Sequence, residues 1–163
     1  MVNVLDKVQP KNRIQLEQLI DYAFKHNIYD LNFIDTSKIT DMSNLFINCE
    51  YDIDVSNWDV SNVTNMSAMF YYCKNFDCDL STWDVSNVTN TSGMFYFCKN
   101  FDCDLSRWDV SNVTNMRNMF DECERIECDL SSWNVTKAKD TLNMFDGCDK
   151  MTIPSWYKLY HRK

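Results

Sequence analysis

Two glycines, two prolines and two histidines are all that this 163-residue chain holds of the residues that most often bend a backbone or run acid–base chemistry. So little glycine and proline excludes collagen-like, linker-like and disordered chains. With Gly93 and Gly147 as the whole supply, no glycine-rich phosphate loop can form, and none of the many serines sits in a G-x-S-x-G elbow. Both histidines, His26 and His161, fall toward the ends, where a lone imidazole is ordinarily a surface group. Positive charge is scarce as well: 16 Lys and Arg against 24 Asp and Glu leave a formal net charge of -8, which disfavours binding to a phosphate backbone or to an anionic membrane surface. No stretch approaches the ~20 apolar residues of a membrane-spanning helix, and the amino end, MVNVLDKVQPKNR, has no apolar h-region of signal-peptide type. These absences predict a non-enzymatic protein with no cofactor, no direct nucleic-acid contact and no membrane insertion. Its expected location is the cytoplasm as the sequence stands, or the cell surface if the sequence is a processed or truncated form.

What the chain does have is eight cysteines, nine methionines and 14% aromatics, and these recur with a period. Trp58, Trp83, Trp108 and Trp133 stand 25 residues apart, and the unit WDVSNVTNMSAMFYYCKNFDCDLST returns twice nearly intact before decaying to WNVTKAKDTLNMFDGCDKMTIPS. A further copy one residue shorter starts at Ile34, so five units cover 34–155. Positions held constant from copy to copy must meet the same surroundings in each. They form columns: Val60/Val85/Val110/Val135, Phe46/Phe70/Phe95/Phe120/Phe145, Met69/Met94/Met119/Met144, Leu80/Leu105/Leu130 and Cys49/Cys73/Cys98/Cys123/Cys148. Like side chains stacked along one axis are the mark of a solenoid, whose units bury apolar surface only against their neighbours.

Within a unit, Phe76-Asp77-Cys78-Asp79-Leu80 alternates as a half-buried strand does, whereas Met66, Met69, Phe70 and Cys73 follow i, i+3, i+4, i+7. The pattern predicts an α/β repeat solenoid with one short strand and one short helical turn per rung. Asn62, Asn65, Asn75 and their equivalents are expected to take the left-handed corners that glycine usually supplies. Residues 1–33 are predicted to form an N-terminal cap with an amphipathic helix, its stripe being Leu16, Leu19, Ile20, Ala23 and Phe24. Residues 156–163 are predicted to form a C-terminal cap or tail in which Trp156, Leu159 and Tyr160 cover the last rung while Lys158, His161, Arg162 and Lys163 stay wet.

The unit WDVSNVTNMxxMFxxCxxFxxDLSxW closely resembles the 25-residue repeat of mycoplasma-type bacterial surface lipoproteins and of the BspA-like, Treponema-type leucine-rich-repeat family. Val63, Met69-Phe70 and Cys73 stand where that family's repeat has valine, Ala-Phe and cysteine. The resemblance runs through all five units. It implies a curved, leucine-rich-repeat-like right-handed superhelix, a bacterial or phage source, and a role in recognition or adhesion with no catalytic residues to carry over. The family often places glycine before the last cysteine of the unit; here those places hold Tyr72, Phe97 and Glu122, and only Gly147 fits.

The cysteines read first as a buried, reduced thiol column, with inter-rung disulfides or a zinc site as weaker alternatives. The acidic columns Asp54/Asp79/Asp104/Asp129, Asp59/Asp84/Asp109 and Asp77/Asp102/Glu127 stack like charges. They are expected to accept backbone N–H groups at corners, with calcium bridging or a basic partner as alternatives. Positions that differ between rungs are freed from stacking. Among them Tyr71, Tyr72, Tyr96 and Phe97 are predicted to form an aromatic patch on two adjacent rungs, with Asp121 and Glu122 beside it and Lys74, Lys99, Arg117 and Arg125 nearby. The leading expectation is a monomeric protein–protein interaction module that binds a protein partner through these six residues. An acidic inhibitor that imitates nucleic acid in the groove of a basic nuclease or defence enzyme is the alternative, and a surface-adhesion or structural repeat protein stands third.

Overall fold

In the computed structural model, described over residues 7–160, the elements of regular structure are two helices, α1 (Arg13–Lys25) and α2 (Ser155–Tyr160). Asn12 starts α1, its Oδ1 accepting the Gln15 N–H at 3.0 Å, and Leu16, Ile20 and Ala23 are its buried face. Arg13 turns to the first rung, where its guanidinium bonds the Ser43 carbonyl, the Ser43 hydroxyl and Asp41. The helix thus covers the first rung with both its apolar stripe and its first cation. His161, Arg162 and Lys163 lie outside the described residues.

Between the helices the expected α/β architecture is absent. Among the described residues there is no sheet and no strand per rung, only isolated parallel bridges, of which Asp41 to Asn65, Asn65 to Asn90, Asn90 to Asn115 and Asn115 to Asp140 fall at one point in each rung. The expected helical turn is absent too. Each rung is instead a chain of tight turns, most of them spanning a pair of buried residues. In one rung the turn bonds run from Trp83 N–H to the Leu80 carbonyl, Val88 to Val85, Met94 to Thr91, Cys98 to Phe95 and Phe101 to Cys98, at 2.9–3.2 Å. Every one of those residues is at most 4% exposed. A pair of inward residues three apart, repeated, produces the i, i+3, i+4, i+7 pattern without a helix.

Rungs are tied by two different sets of bonds. On one side the N–H groups of Thr91, Gly93, Phe95 and Phe97 donate to the carbonyls of Asn115, Arg117, Met119 and Asp121 in the next rung, at 2.8–2.9 Å. On the other side, where alternation suggests a strand, side chains take over. Trp108 Nε1 donates to the Leu80 carbonyl (3.0 Å), the Leu80 N–H to Cys103 Sγ (3.2 Å), the Asp102 N–H to Asp77 Oδ1 (3.1 Å) and Asn112 Nδ2 to the Ser86 carbonyl (2.7 Å). Turns close at Cys73–Phe76 and again at Leu80–Trp83, which leaves only residues 77–79 between them for the expected strand.

The core is a set of side-chain columns. Phe46, Phe70, Phe95, Phe120 and Phe145 stack with centroids 5.6–5.8 Å apart and planes within 4–7°. Phe76 and Phe101 form a second column 4.0 and 4.2 Å from Phe70 and Phe95. Trp58, Trp83, Trp108, Trp133 and Trp156 each pass the indole N–H back to a carbonyl of the preceding rung, at 2.9–3.3 Å. Trp156 carries this series into α2, where its ring and that of Tyr157 lie against Phe145.

The left-handed corners are not where the asparagine pattern puts them. Asn62 and Asn75 bridge to the Ser37 and Glu50 carbonyls one rung back, and Asn65 Oδ1 accepts the Ser67 N–H. Within the rungs positive φ falls instead in two columns, Asn44/Ala68/Gly93/Asn118/Asn143 and Asn48/Tyr72/Phe97/Glu122/Gly147, at 52–70°. Both glycines of the chain occupy them. Ala68, at φ 52, is therefore a strained alanine where the next rung has glycine. Ala68→Gly is expected to raise the free energy of unfolding by about 1 kcal/mol, because a Cβ at this φ costs about 1–2 kcal/mol while glycine's extra chain entropy takes part of that back. Urea denaturation checks it: an unchanged or lower midpoint would mean the turn holds Ala68 without strain.

Candidate functional site

The turn segment that donates backbone bonds between rungs also carries the outward residues that differ between rungs. In each unit the inward phenylalanine is followed by two outward positions, which form adjacent columns: Ile47/Tyr71/Tyr96/Asp121/Asp146 and Asn48/Tyr72/Phe97/Glu122/Gly147. All six residues expected at the site lie in these columns, and each is half-buried. The structure brings the four aromatics together: Tyr71 stacks on Tyr96 at 4.6 Å and 9°, Tyr72 on Phe97 at 4.5 Å and 13°, and Tyr72 meets Tyr71 and Tyr96 at 5.2 and 5.5 Å. Ile47, 41% exposed, begins the first column and extends the apolar surface by one rung, which the sequence reading missed; its column membership is the signal that finds it.

Local backbone fixes this geometry. Tyr71 lies over Gly93, where a Cβ would meet its ring edge at 3.5 Å. Tyr72, Phe97 and Glu122 hold φ of 61–62°, a conformation that bulky L-residues avoid and that directs their side chains along the stack. Glu122 continues the series by folding over Gly147, whose missing Cβ would come within 3.1 Å of the Glu122 carboxyl carbon.

Charge is split across the patch. Lys99 Nζ sits 4.5 Å over the Phe97 ring and pairs with Glu124, and Lys74 Nζ lies 5.8 Å from the same ring. Arg117 pairs with Asp140 at 3.8 Å. On the tyrosine side, burial followed by the charges of Asp146 and Glu122 pushes the Asp121 carboxyl above its ordinary range. The Tyr96 phenol is raised too, by burial and then by Asp121.

The remaining acidic columns carry out local structural work. The carboxyls of Asp79, Asp104 and Asp129 are held below the ordinary range by the hydroxyl and then the backbone N–H of Ser81, Ser106 and Ser131. Asp77 and Asp102 each accept the N–H of the equivalent residue one rung on, at 3.1 and 3.2 Å. Asp77, Asp79, Asp102 and Asp104 line a cleft of about 420 Å³ that Arg107 also enters. Among the described residues no group of three or more His, Cys, Asp or Glu side chains is arranged to hold a metal ion.

All eight cysteines are free thiols. They do more than fill space: Cys73, Cys98, Cys123 and Cys148 donate Sγ–H to the Phe46, Phe70, Phe95 and Phe120 carbonyls at 2.9–3.0 Å, while Cys49, in the first rung, turns to the Tyr51 carbonyl. Burial pushes the Cys73 thiol up to about 12 and keeps this column out of thiolate chemistry.

Residues 14–106 and again 81–158 match the family described as "Mycoplasma protein of unknown function, DUF285", in two overlapping passes along the repeats. No curated protein and no solved structure matches the chain. No helix among the described residues is long and apolar enough to cross a membrane.

Proposed function

We propose that this chain, which belongs to the DUF285 family that spans most of its length, is a non-enzymatic protein–protein interaction module. Its contact face is the aromatic double column of Tyr71, Tyr72, Tyr96 and Phe97, bounded by Asp121 and Glu122. The observation that carries this reading is the backbone at Tyr72, Phe97 and Glu122. Each holds a bulky side chain at positive φ, in a column where Gly147 shows that glycine fits. Strain kept at a surface position that glycine would relieve is characteristic of a functional site. Tyrosines carry large contact area at little conformational-entropy cost and are enriched at interface hot spots. The resemblance of the repeat to BspA-like proteins, a family of recognition and adhesion, supports the same reading.

The test is affinity capture from the native cell with the wild-type chain and with Tyr71→Ala/Tyr96→Ala. A captured partner is expected to bind the double variant at least about 100-fold more weakly, the scale of two interface hot spots. The variant's melting temperature should fall by only a few degrees, because both rings are half-buried. A variant that no longer folds would place the rings in the core and overturn the reading.

The aspartate-lined cleft favours the second reading, an acidic imitation of nucleic acid. It ranks lower because Asp77, Asp79, Asp102 and Asp104 already bind N–H groups of the chain. Binding that collapses with added salt and fails in Asp79→Asn/Asp104→Asn would move it ahead.

A further inference from the structure

The stack of Tyr72 on Phe97 begins one rung later than its backbone column does. The two rings lie 4.5 Å apart with planes at 13°, and the same positive-φ position in the first rung holds Asn48, at φ 58. An asparagine amide is too short to continue a column of rings. At that place lies a cavity of about 320 Å³, lined by Asn48, Cys49 and Glu50 of the first rung and by Tyr72, Lys74 and Asn75 of the second. Because Phe97 belongs to the third rung, the cavity is on the opposite side of Tyr72 from its stacking partner. Among the described residues the rings that meet Tyr72 are Tyr71, Tyr96 and Phe97, and none of them comes from the first rung. The far wall is pinned by Asn75, whose Nδ2 donates to the Glu50 carbonyl at 2.8 Å. One carboxylate and one ammonium, Glu50 and Lys74, line the cavity, so it selects for neither sign of charge. Ile47, next to Asn48 and 41% exposed, joins the cavity to the Tyr71 column.

Resting on the interaction reading above, we infer that this slot receives one aromatic side chain of the protein partner, which stacks on Tyr72 as the first-rung member that the column lacks. The column itself selects a ring. A ring laid parallel on Tyr72 repeats the contact that Tyr72 makes with Phe97 and Tyr71 with Tyr96, at 4.5 and 4.6 Å, whereas an aliphatic side chain has no plane to lay there. Size agrees: a cavity of about 150 Å³ is enough to bind benzene, so this one has room for a ring and the methylene that carries it. An aromatic anchor seated in a pocket beside a broader contact face is the usual form of an interface hot spot.

The test titrates the full chain by NMR with the N-acetyl amides of phenylalanine and leucine. The phenylalanine probe is expected to shift the Tyr72 ring resonances upfield and to bind about three- to tenfold more tightly than the leucine probe, the margin that an aromatic pair adds beyond its buried area. Asn48→Tyr fills the slot from within, at a φ that Tyr72 and Phe97 already hold, and is expected to abolish the shifts at Tyr72, whereas Asn48→Ala keeps them. Equal binding of the two probes, or unchanged phenylalanine binding by Asn48→Tyr, would overturn the inference. Should Asn48→Tyr fail to fold, Tyr72→Leu decides: it keeps apolar bulk and removes the stacking plane, so the phenylalanine probe should fall to the affinity of the leucine probe, and an undiminished affinity would overturn the inference. A partner captured by the wild-type chain is expected to bind Asn48→Tyr at least about tenfold more weakly. If Tyr71→Ala/Tyr96→Ala loses that partner and Asn48→Tyr keeps it, the slot falls and the interaction module stands. If both variants keep it, both readings fall.

Discussion

Replacing Phe95 with alanine is expected to lower the free energy of unfolding by about 3–5 kcal/mol, the range for deleting a fully buried phenylalanine. Phe95 is 0% exposed and stacks on Phe70 at 5.7 Å and Phe120 at 5.6 Å within its column, while Phe101, Phe76 and Trp108 lie within 6.5 Å beside it. No neighbour can fill the vacancy, because each ring is already held by the ring of the next rung. Position sharpens the effect. Phe95 belongs to the third of the five units, so losing it leaves two units on either side, and stacked repeats generally need about three to be stable. A loss of this size is a large part of the 5–15 kcal/mol of a typical domain. Phe145→Ala removes the same ring at the last rung, where it is 5% exposed and flanked by Trp156 and Tyr157. Its expected effect is fraying confined to that end. Urea denaturation of the two variants separates these outcomes. Equal losses would mean that the stack unfolds as one unit, with no greater weight at its centre.

The Phe95 column was legible in the sequence, as were the columns of Val60, Met69, Leu80 and Cys73, because stacking forces copies of a unit to share their inward residues. Buried residues in the structure coincide with those columns. The amphipathic helix expected from the stripe Leu16, Leu19, Ile20, Ala23 and Phe24 is present as Arg13–Lys25. The backbone was not legible, and the reason is physical. Apolar periodicity records which way a side chain points, and a run of turns with paired inward ends points its side chains as strands and short helices do. Where the N–H groups go is what separates these alternatives, and that is set by φ. The left-handed residues proved to include Ala68, Tyr72, Phe97 and Glu122, none of which has the propensity of asparagine for that region. At the candidate site, the aromatic cluster followed from the spacing of the outward columns. Ile47 did not enter it, although the repeat alone places it at the head of the Tyr71 column.

The tryptophan series shows most directly what replaces a sheet. Trp108→Ala is expected to destabilise by about 3–5 kcal/mol, as for other buried aromatics, and Trp108→Phe to recover all but about 1–2 kcal/mol. The residue of the loss belongs to the indole N–H, which donates to the Leu80 carbonyl at 3.0 Å across the rung boundary, and to the smaller ring's imperfect fit. Leu80 makes the measurement specific. Its carbonyl also accepts the Trp83 N–H at 3.1 Å, so the indole occupies a second acceptor position and its removal does not orphan the carbonyl. The expected cost is therefore that of one net hydrogen bond plus a small cavity, rather than a full desolvation penalty. Chemical denaturation of Trp108→Phe and Trp133→Phe should give similar losses, since Trp133 makes the equivalent 3.0 Å bond to the Leu105 carbonyl. Wild-type stability in both would mean that ring area alone holds tryptophan at these positions. A reproducible loss in both would mean that at Leu80 and Leu105, which the next rung reaches through side chains, the indole N–H performs the work of a strand ladder once per rung.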